Sequence, residues 1–117
     1  MFDFEKLIVY QKAKAFNKLT YNFIKQNKNL DRTTNDQFRR ASFSIMLNIA
    51  EGSGRFSKAD RRNFFVIARG SVFECVAILD FLKDENLLGE ELHHDFYTKD
   101  EELSKILFAM IENLQKV

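Results

Sequence analysis

The sequence predicts an all-α protein, an antiparallel up-down four-helix bundle in a single domain over residues 1–117. Three observations predict it. Apolar residues recur at three- and four-residue steps in four separate segments, the period of a helix with one buried face. Proline is absent, so no helix is interrupted by a missing N–H donor. No stretch alternates apolar and polar residues with the two-residue period of a half-buried strand. A hydrophobic content of 45% with 13 phenylalanines is enough to close one core in a chain of 117 residues, the size of one domain.

Helix one is expected from about Glu5 to Asn27, on Phe4, Leu7, Ile8, Ala15, Leu19 and Phe23, with Val9 and Phe16 widening the stripe. The polar stretch Lys28 to Asn35 reads as a loop. Thr33, Thr34 and Asn35 are its candidate N-caps, because their side-chain oxygens can accept a free amide of the next turn. Helix two, from about Asp36 to Gly52, turns Phe38, Ala41, Ser42, Ile45, Asn48 and Ile49 inward. That face is small and polar, and Gly52 or Gly54 is expected to end the helix in the left-handed conformation.

Ser57 stands three residues before Asp60, a capping box with Asp in place of Glu or Gln, so helix three starts almost at once. The tight connection makes the two neighbours antiparallel. In helix three Phe64, Ala68, Ser71, Cys75, Ile78 and Leu82 follow the alternating four-three spacing of a bundle seam. Phe65, Val72, Val76 and Leu79 flank that seam, so burial on more than one side is expected. The pattern breaks from Asn86 to Gly89. Leu92, Phe96, Leu103, Ile106, Leu107, Met110, Leu114 and Val117 then resume it as helix four.

The lone Cys75 has no intramolecular disulfide partner, and no charged-then-apolar leader precedes the first amphipathic segment, so the cytoplasm is the expected compartment. Charged residues recur too often for a membrane span. The net charge of +1 is unevenly spread. Residues 1–31 carry +3 (six basic, three acidic), 32–69 carry +5 (eight and three) and 70–117 carry −7 (four and eleven). A basic and an acidic side are expected.

The motifs Asp36-Gln37-Phe38-Arg39-Arg40-Ala41, Ser44-Ile45, Asn48-Ile49-Ala50-Glu51-Gly52-Ser53-Gly54-Arg55, and Gly70-Ser71 with Glu74 resemble those of the four helix bundle protein family, also described as proteins encoded in bacterial 23S rRNA intervening sequences. Phe4, Leu7, Tyr10-Gln11 and Ala13 match its first-helix pattern, and the resemblance covers residues 1 to about 85. Tyr10 stands where the family often has Trp, and Met46 where it often has Pro, so helix two here lacks the means for a proline kink. The resemblance implies a left-handed bundle that assembles as a ring, known relatives being homopentamers, and it implies no enzyme. The similar accessory variability proteins of diversity-generating retroelements form pentamers that contact a reverse transcriptase and nucleic acid through basic surfaces.

Asn48, Glu51 and Arg55 concentrate an amide, a carboxylate and a guanidinium near a glycine-rich helix end. They read better as a structural network than as a ligand site, with Asn48 and Glu51 bonding Arg69 or Glu74 of helix three. Gly70 and Ser71 would let two backbones approach closely, offsetting the roughly 1 kcal/mol that a mid-helix glycine costs.

The candidate functional residues are Arg39, Arg40, Arg55, Lys58, Arg61, Arg62 and Arg69, since guanidinium groups pair bidentately with phosphates. Adjacent arginines point about 100° apart, so Arg39-Arg40 and Arg61-Arg62 cannot all share one surface. At least one is expected to pair with acidic helix four of its own or a neighbouring chain. Two partner readings therefore stand open: RNA or DNA on the basic face, or subunit assembly with another protein as the partner.

His93 and His94 are adjacent rather than four apart, the wrong spacing for a helical metal pair. Cys75 has no histidine one turn away and reads as a buried apolar-like residue. No phosphate loop, hydrolase elbow or dinucleotide fingerprint occurs. No cofactor or metal is expected.

Overall fold

The computed structural model describes residues 1–115. A 3-10 turn at Asp3–Lys6 leads into α1 (Ile8–Gln26), α2 (Arg32–Ser53), α3 (Lys58–Asp84) and α4 (Glu90–Gln115). Each helix packs on its two neighbours, so α1 faces α3, and α2 faces α4, only across the diagonal. The result is an up-down four-helix bundle about 47 × 26 × 22 Å. Its long axis is set by α3, whose 27 residues rise about 1.5 Å each. Among the described residues there is no strand and no helix long and apolar enough to cross a membrane.

Two helix starts differ from the sequence expectation. Leu7 is extended at φ −73°, ψ 127°, so the chain bends between the 3-10 turn and α1 instead of running as one helix from Glu5. The buried stripe of α1 is Val9, Ala13, Phe16, Thr20, Phe23 and Ile24. Ile8 and Ala15, expected inside, are exposed, because a one-residue bend at the start rotates the face by about 100°.

Helix α2 begins at Arg32, four residues earlier than Asp36, and its N-cap is Asp31 rather than Thr33, Thr34 or Asn35. The Asp31 carboxylate accepts the backbone N–H and the hydroxyl of Thr34, both at 2.8 Å. Those bonds, the backbone one foremost, hold its carboxyl below the usual carboxylate range.

At the other end, Gly54 has φ −88°, and no glycine among the described residues is left-handed. The α2–α3 turn is closed instead by backbone bonds from Gly54 to Glu51 and from Arg55 to Gly52. Ser57 caps α3 as the sequence predicts, its hydroxyl accepting from the Asp60 amide at 3.1 Å. The break before α4 contains Asn86 at φ 59°, a conformation asparagine tolerates better than most residues. The expected inward Val117 lies outside the described residues.

Helix α3 is buried broadly, with Phe65, Ala68, Ser71, Val72, Cys75, Leu79 and Leu82 inside, because it packs on α2 and α4 together. Its approach to α2 is close at Gly52. A Cβ placed there would lie 2.9 Å from the Phe64 Cβ and 2.9 Å from Phe65 Cε1. Phe64 Cβ is fixed to its backbone and cannot swing aside. Gly70 is the opposite case: it is exposed, and a Cβ there would meet nothing within 4 Å. The close backbone approach expected at Gly70 is therefore absent within the chain and is found at Gly52.

Two substitutions separate these roles. Gly52→Ala is expected to destabilise the fold by about 1–3 kcal/mol through overpacking, despite alanine's better helix propensity. Gly70→Ala is expected to be neutral or to stabilise it by up to ~1 kcal/mol. Urea unfolding of each variant checks both, and an equal response would contradict the packing difference.

Candidate functional site

The seven basic candidates do not form one patch. Arg39 and Arg40 sit early on α2, where Arg39 lies over the Tyr21 ring at 6.0 Å and Arg40 donates to Gln37 at 2.8 Å. Arg55 is 16 positions further along, about 24 Å at the rise of a helix. The structure gathers Arg55, Lys58, Arg61 and Arg62 at the α2–α3 turn and the first turns of α3.

There Arg55 pairs with Glu51 at 2.7 Å and lies over the Phe64 ring at 4.6 Å. Arg61 donates from Nε to the Arg55 carbonyl at 2.7 Å, which leaves its terminal nitrogens free for a further acceptor. Arg62 leans toward the end of α4, where the Gln115 amide oxygen, turned to face it, accepts from its Nε at 3.1 Å. Phe56, between Arg55 and Lys58, is fully exposed. Phe56 is missing from the candidates drawn from the sequence. Its signal is an aromatic side chain in a turn that has no core face to give it.

The expected network of Asn48 and Glu51 with Arg69 or Glu74 is not formed. Asn48 is half-buried and donates to the Ser44 carbonyl and hydroxyl at 2.8 and 2.9 Å. The Ser71 hydroxyl donates to the Ser44 hydroxyl at 2.9 Å, so a short Asn48–Ser44–Ser71 chain ties α2 to α3. Glu51 is turned outward to Arg55, and Glu74 is exposed. Ser44 is the hub because it, and not Glu51, sits opposite Ser71 across the α2–α3 contact.

Arg69 instead crosses to α4. Its Nε donates to the Ser104 carbonyl at 3.3 Å, and its guanidinium lies between the Phe73 and Phe108 rings at 4.8 and 5.3 Å. None of the seven candidates forms an ion pair with an acidic residue of α4 among the described residues; the α4 pairs are Lys12 with Glu102 and Lys99 with Asp95.

A groove of about 600 Å³ runs between α3 and α4, with Arg69 at one end and His93 and Tyr97 at the other. His93 stacks on Tyr97, centroids 6.0 Å apart, and His94 is exposed. No group of three or more His, Cys, Asp or Glu among the described residues is placed to hold a metal. Cys75 is buried, and burial pushes its thiol up, which makes it a poor nucleophile.

Asp100 also lines the groove. It is fully buried, and neither carboxylate oxygen has a hydrogen-bond partner. The sequence stripe of α4 skips from Phe96 to Leu103 and leaves position 100 as its unfilled inward site. That gap is the signal for a buried aspartate.

Residues 5–109 match the family model described as 23S rRNA-intervening sequence protein. The chain belongs to that family. The 23S rRNA-intervening sequence fold is shared with a crystal structure of a protein of unknown function from the S23 ribosomal protein family of Bacteroides thetaiotaomicron VPI-5482. The TM-score is 0.83 at 24% identity, over 89% of this chain and 98% of that one. No curated protein matches the sequence.

Burial pushes the Asp100 carboxyl up to about 8, whereas an aspartate in an unfolded chain ionises near ~3.9. Between those values the folded state holds the extra proton, so stability falls as pH rises through that window. Asp100→Asn is expected to flatten this dependence and to raise the melting temperature at pH 8 by about 5 °C. Thermal melts from pH 5 to pH 9 check it; parallel wild-type and variant profiles would contradict it.

Proposed function

We propose that the chain is a non-enzymatic, cytoplasmic, self-associating bundle that holds a nucleic acid at the α2–α3 turn. The observation that carries this reading is Phe56. It stands fully exposed among Arg55, Lys58 and Arg61, and Glu51 is the one acidic side chain among the described residues that pairs with this cluster. Cations that hold phosphates, set around a free aromatic face on which an unpaired base can stack, are the features of a single-strand site. The family description names an rRNA, which favours RNA over duplex DNA.

Self-association is supported by a second surface. Val66, Gly70, Phe73, Ala77 and Phe81 run along the outside of α3 at three- and four-residue steps, and all are exposed. Phe43 and Leu47 of α2 are exposed as well. A stripe of this kind marks a protein contact, and Gly70, with open space where a side chain would stand, suits a close neighbour. The family resemblance sets the expected assembly at five copies in a ring.

The rival reading is a protein-interaction scaffold whose arginines serve subunit assembly. Residues 70–117, at −7 against +5 for residues 32–69, leave acidic side chains on α4 that no basic candidate pairs with among the described residues. Arg61→Glu combined with Arg62→Glu separates the two. The nucleic-acid reading expects light scattering to show an intact oligomer while RNA binding is lost; dissociation of the oligomer would favour assembly.

For single-stranded RNA bound through about four phosphates, affinity is expected to fall about 50-fold between 50 and 200 mM salt. Phe56→Ala is expected to cost about 1–3 kcal/mol of binding. Fluorescence anisotropy with a labelled oligonucleotide measures both. A salt-independent affinity, or an unaffected alanine variant, would overturn the site.

A further inference from the structure

The groove between α3 and α4 holds a buried carboxyl to which none of the described residues hydrogen-bonds. Asp100 is fully buried, yet both its oxygens lack a partner. Buried polar groups are normally hydrogen-bonded, and a buried carboxylate without a partner is strongly disfavoured. Asp100 also lines an open groove of about 600 Å³, from which a partner reaches its oxygens by displacing the side chains that cover them.

The lining indicates what that partner is. Val72, Phe73, Val76 and Ala77 form an apolar wall, and Tyr97 stands at the far end. The carboxylates Asp80, Asp100 and Glu101 line the groove together with the cations Arg69 and Lys105. Arg69 is held between Phe73 and Phe108 and bonded to the Ser104 carbonyl, and it gives Asp100 no hydrogen bond. An anion would meet the buried carboxylate. A hard metal ion would need several oxygens, and no cluster of three metal-ligating side chains is present among the described residues. One buried carboxylate beside apolar and aromatic walls suits a monovalent cation with an aliphatic stem, which the aromatic faces also attract.

We propose that the α3–α4 groove is a binding site for an organic cation, an aliphatic amine or guanidinium whose charged head pairs with Asp100 and whose stem lies along Val72 and Val76. The site is separate from the α2–α3 turn and does not depend on nucleic-acid binding there.

Binding is coupled to a proton. Burial holds the Asp100 carboxyl up to about 8, so below that pH the cation must displace the carboxyl proton. The charged and titratable groups around it are Arg69, Cys75 and Asp80 on α3 and His93, Tyr97, Glu101 and Lys105 on α4. Where α1 meets α4, Lys12 pairs with Glu102.

The test is a nuclear magnetic resonance titration of the full chain with n-butylguanidinium, with n-butanol as the neutral control. Saturable shifts at Val72, Val76 and Tyr97 are expected with the cation alone. Affinity should rise roughly tenfold per pH unit up to about pH 8 and level off above it. Asp100→Asn should weaken binding about tenfold or more at pH 8.5 and remove the pH dependence. Equal binding of n-butanol, a flat pH profile in the wild type, or unchanged affinity in the Asn variant would overturn the proposal and leave the groove to water. If the Asn variant does not fold, the wild-type pH profile decides alone.

The cation can be a free amine or a lysine or arginine side chain of a second copy, and one further arm distinguishes them. With a second copy, the Asp100 carboxyl titration midpoint falls as protein concentration rises, and n-butylguanidinium reverses the association. With a free amine, the midpoint is independent of protein concentration and moves only when the cation is added. Either result carries the cation site.

Discussion

The bundle is organised around the edge-to-face packing of Phe96 against three other phenylalanines. Its ring meets Phe38 at 5.6 Å, Phe16 at 5.7 Å and Phe23 at 5.9 Å, joining α4 to α1 and α2 in one contact. Such pairs add about 0.5–1.5 kcal/mol each beyond the area they bury, and all four rings lie inside the core. Because helical side chains share a face at steps of three and four, turning Phe96 inward also turns in positions 100, 103, 107 and 111. Three of those four are apolar; the fourth is Asp100. The burial of a carboxylate is thus a consequence of the register that the aromatic cluster imposes.

A second constraint acts between α2 and α3. Gly52 leaves room for Phe64 and Phe65 to pack directly on α2, and Ser44 and Ser71 bond across the same contact. That close packing brings α3 back immediately after α2, through a turn too short to cover itself. Arg55, Phe56, Lys58 and Arg61 are the residues of that turn and the helix start it leads to, and all are exposed. The tightness of the fold at Gly52 is therefore what puts an aromatic ring and its surrounding cations at the surface. The α3–α4 groove lies on a different side of α3, so the two candidate surfaces can act independently.

Much of the architecture is legible in the amino-acid sequence. The four helices, the Ser57 cap, the break at Asn86 and the two-sided burial of α3 all follow from local rules about periodicity and caps. Where expectation and structure differ, the cause is also local. Threonines look like better caps than Asp31 until the carboxylate is seen to take both Thr34 donors. Ile8 looks inward until the bend at Leu7 rotates the helix. Of the candidate site, the basic residue types are legible, but their grouping is not. A row of arginines along two helices does not say that Arg39 lies far from Arg55, or that Arg69 is spent on Ser104 and two rings.

By itself, then, the sequence determined the number of helices, their order, their approximate ends and the uneven distribution of charge. These depend on spacing along one chain and on the chemistry of neighbouring residues. Only the tertiary structure decided which glycine is sterically required, which arginines gather at the turn, and that Asp100 is buried at the groove without a partner. Each of those depends on distances between atoms on different helices, set by the angle and register at which the helices meet, and residue spacing carries no record of them.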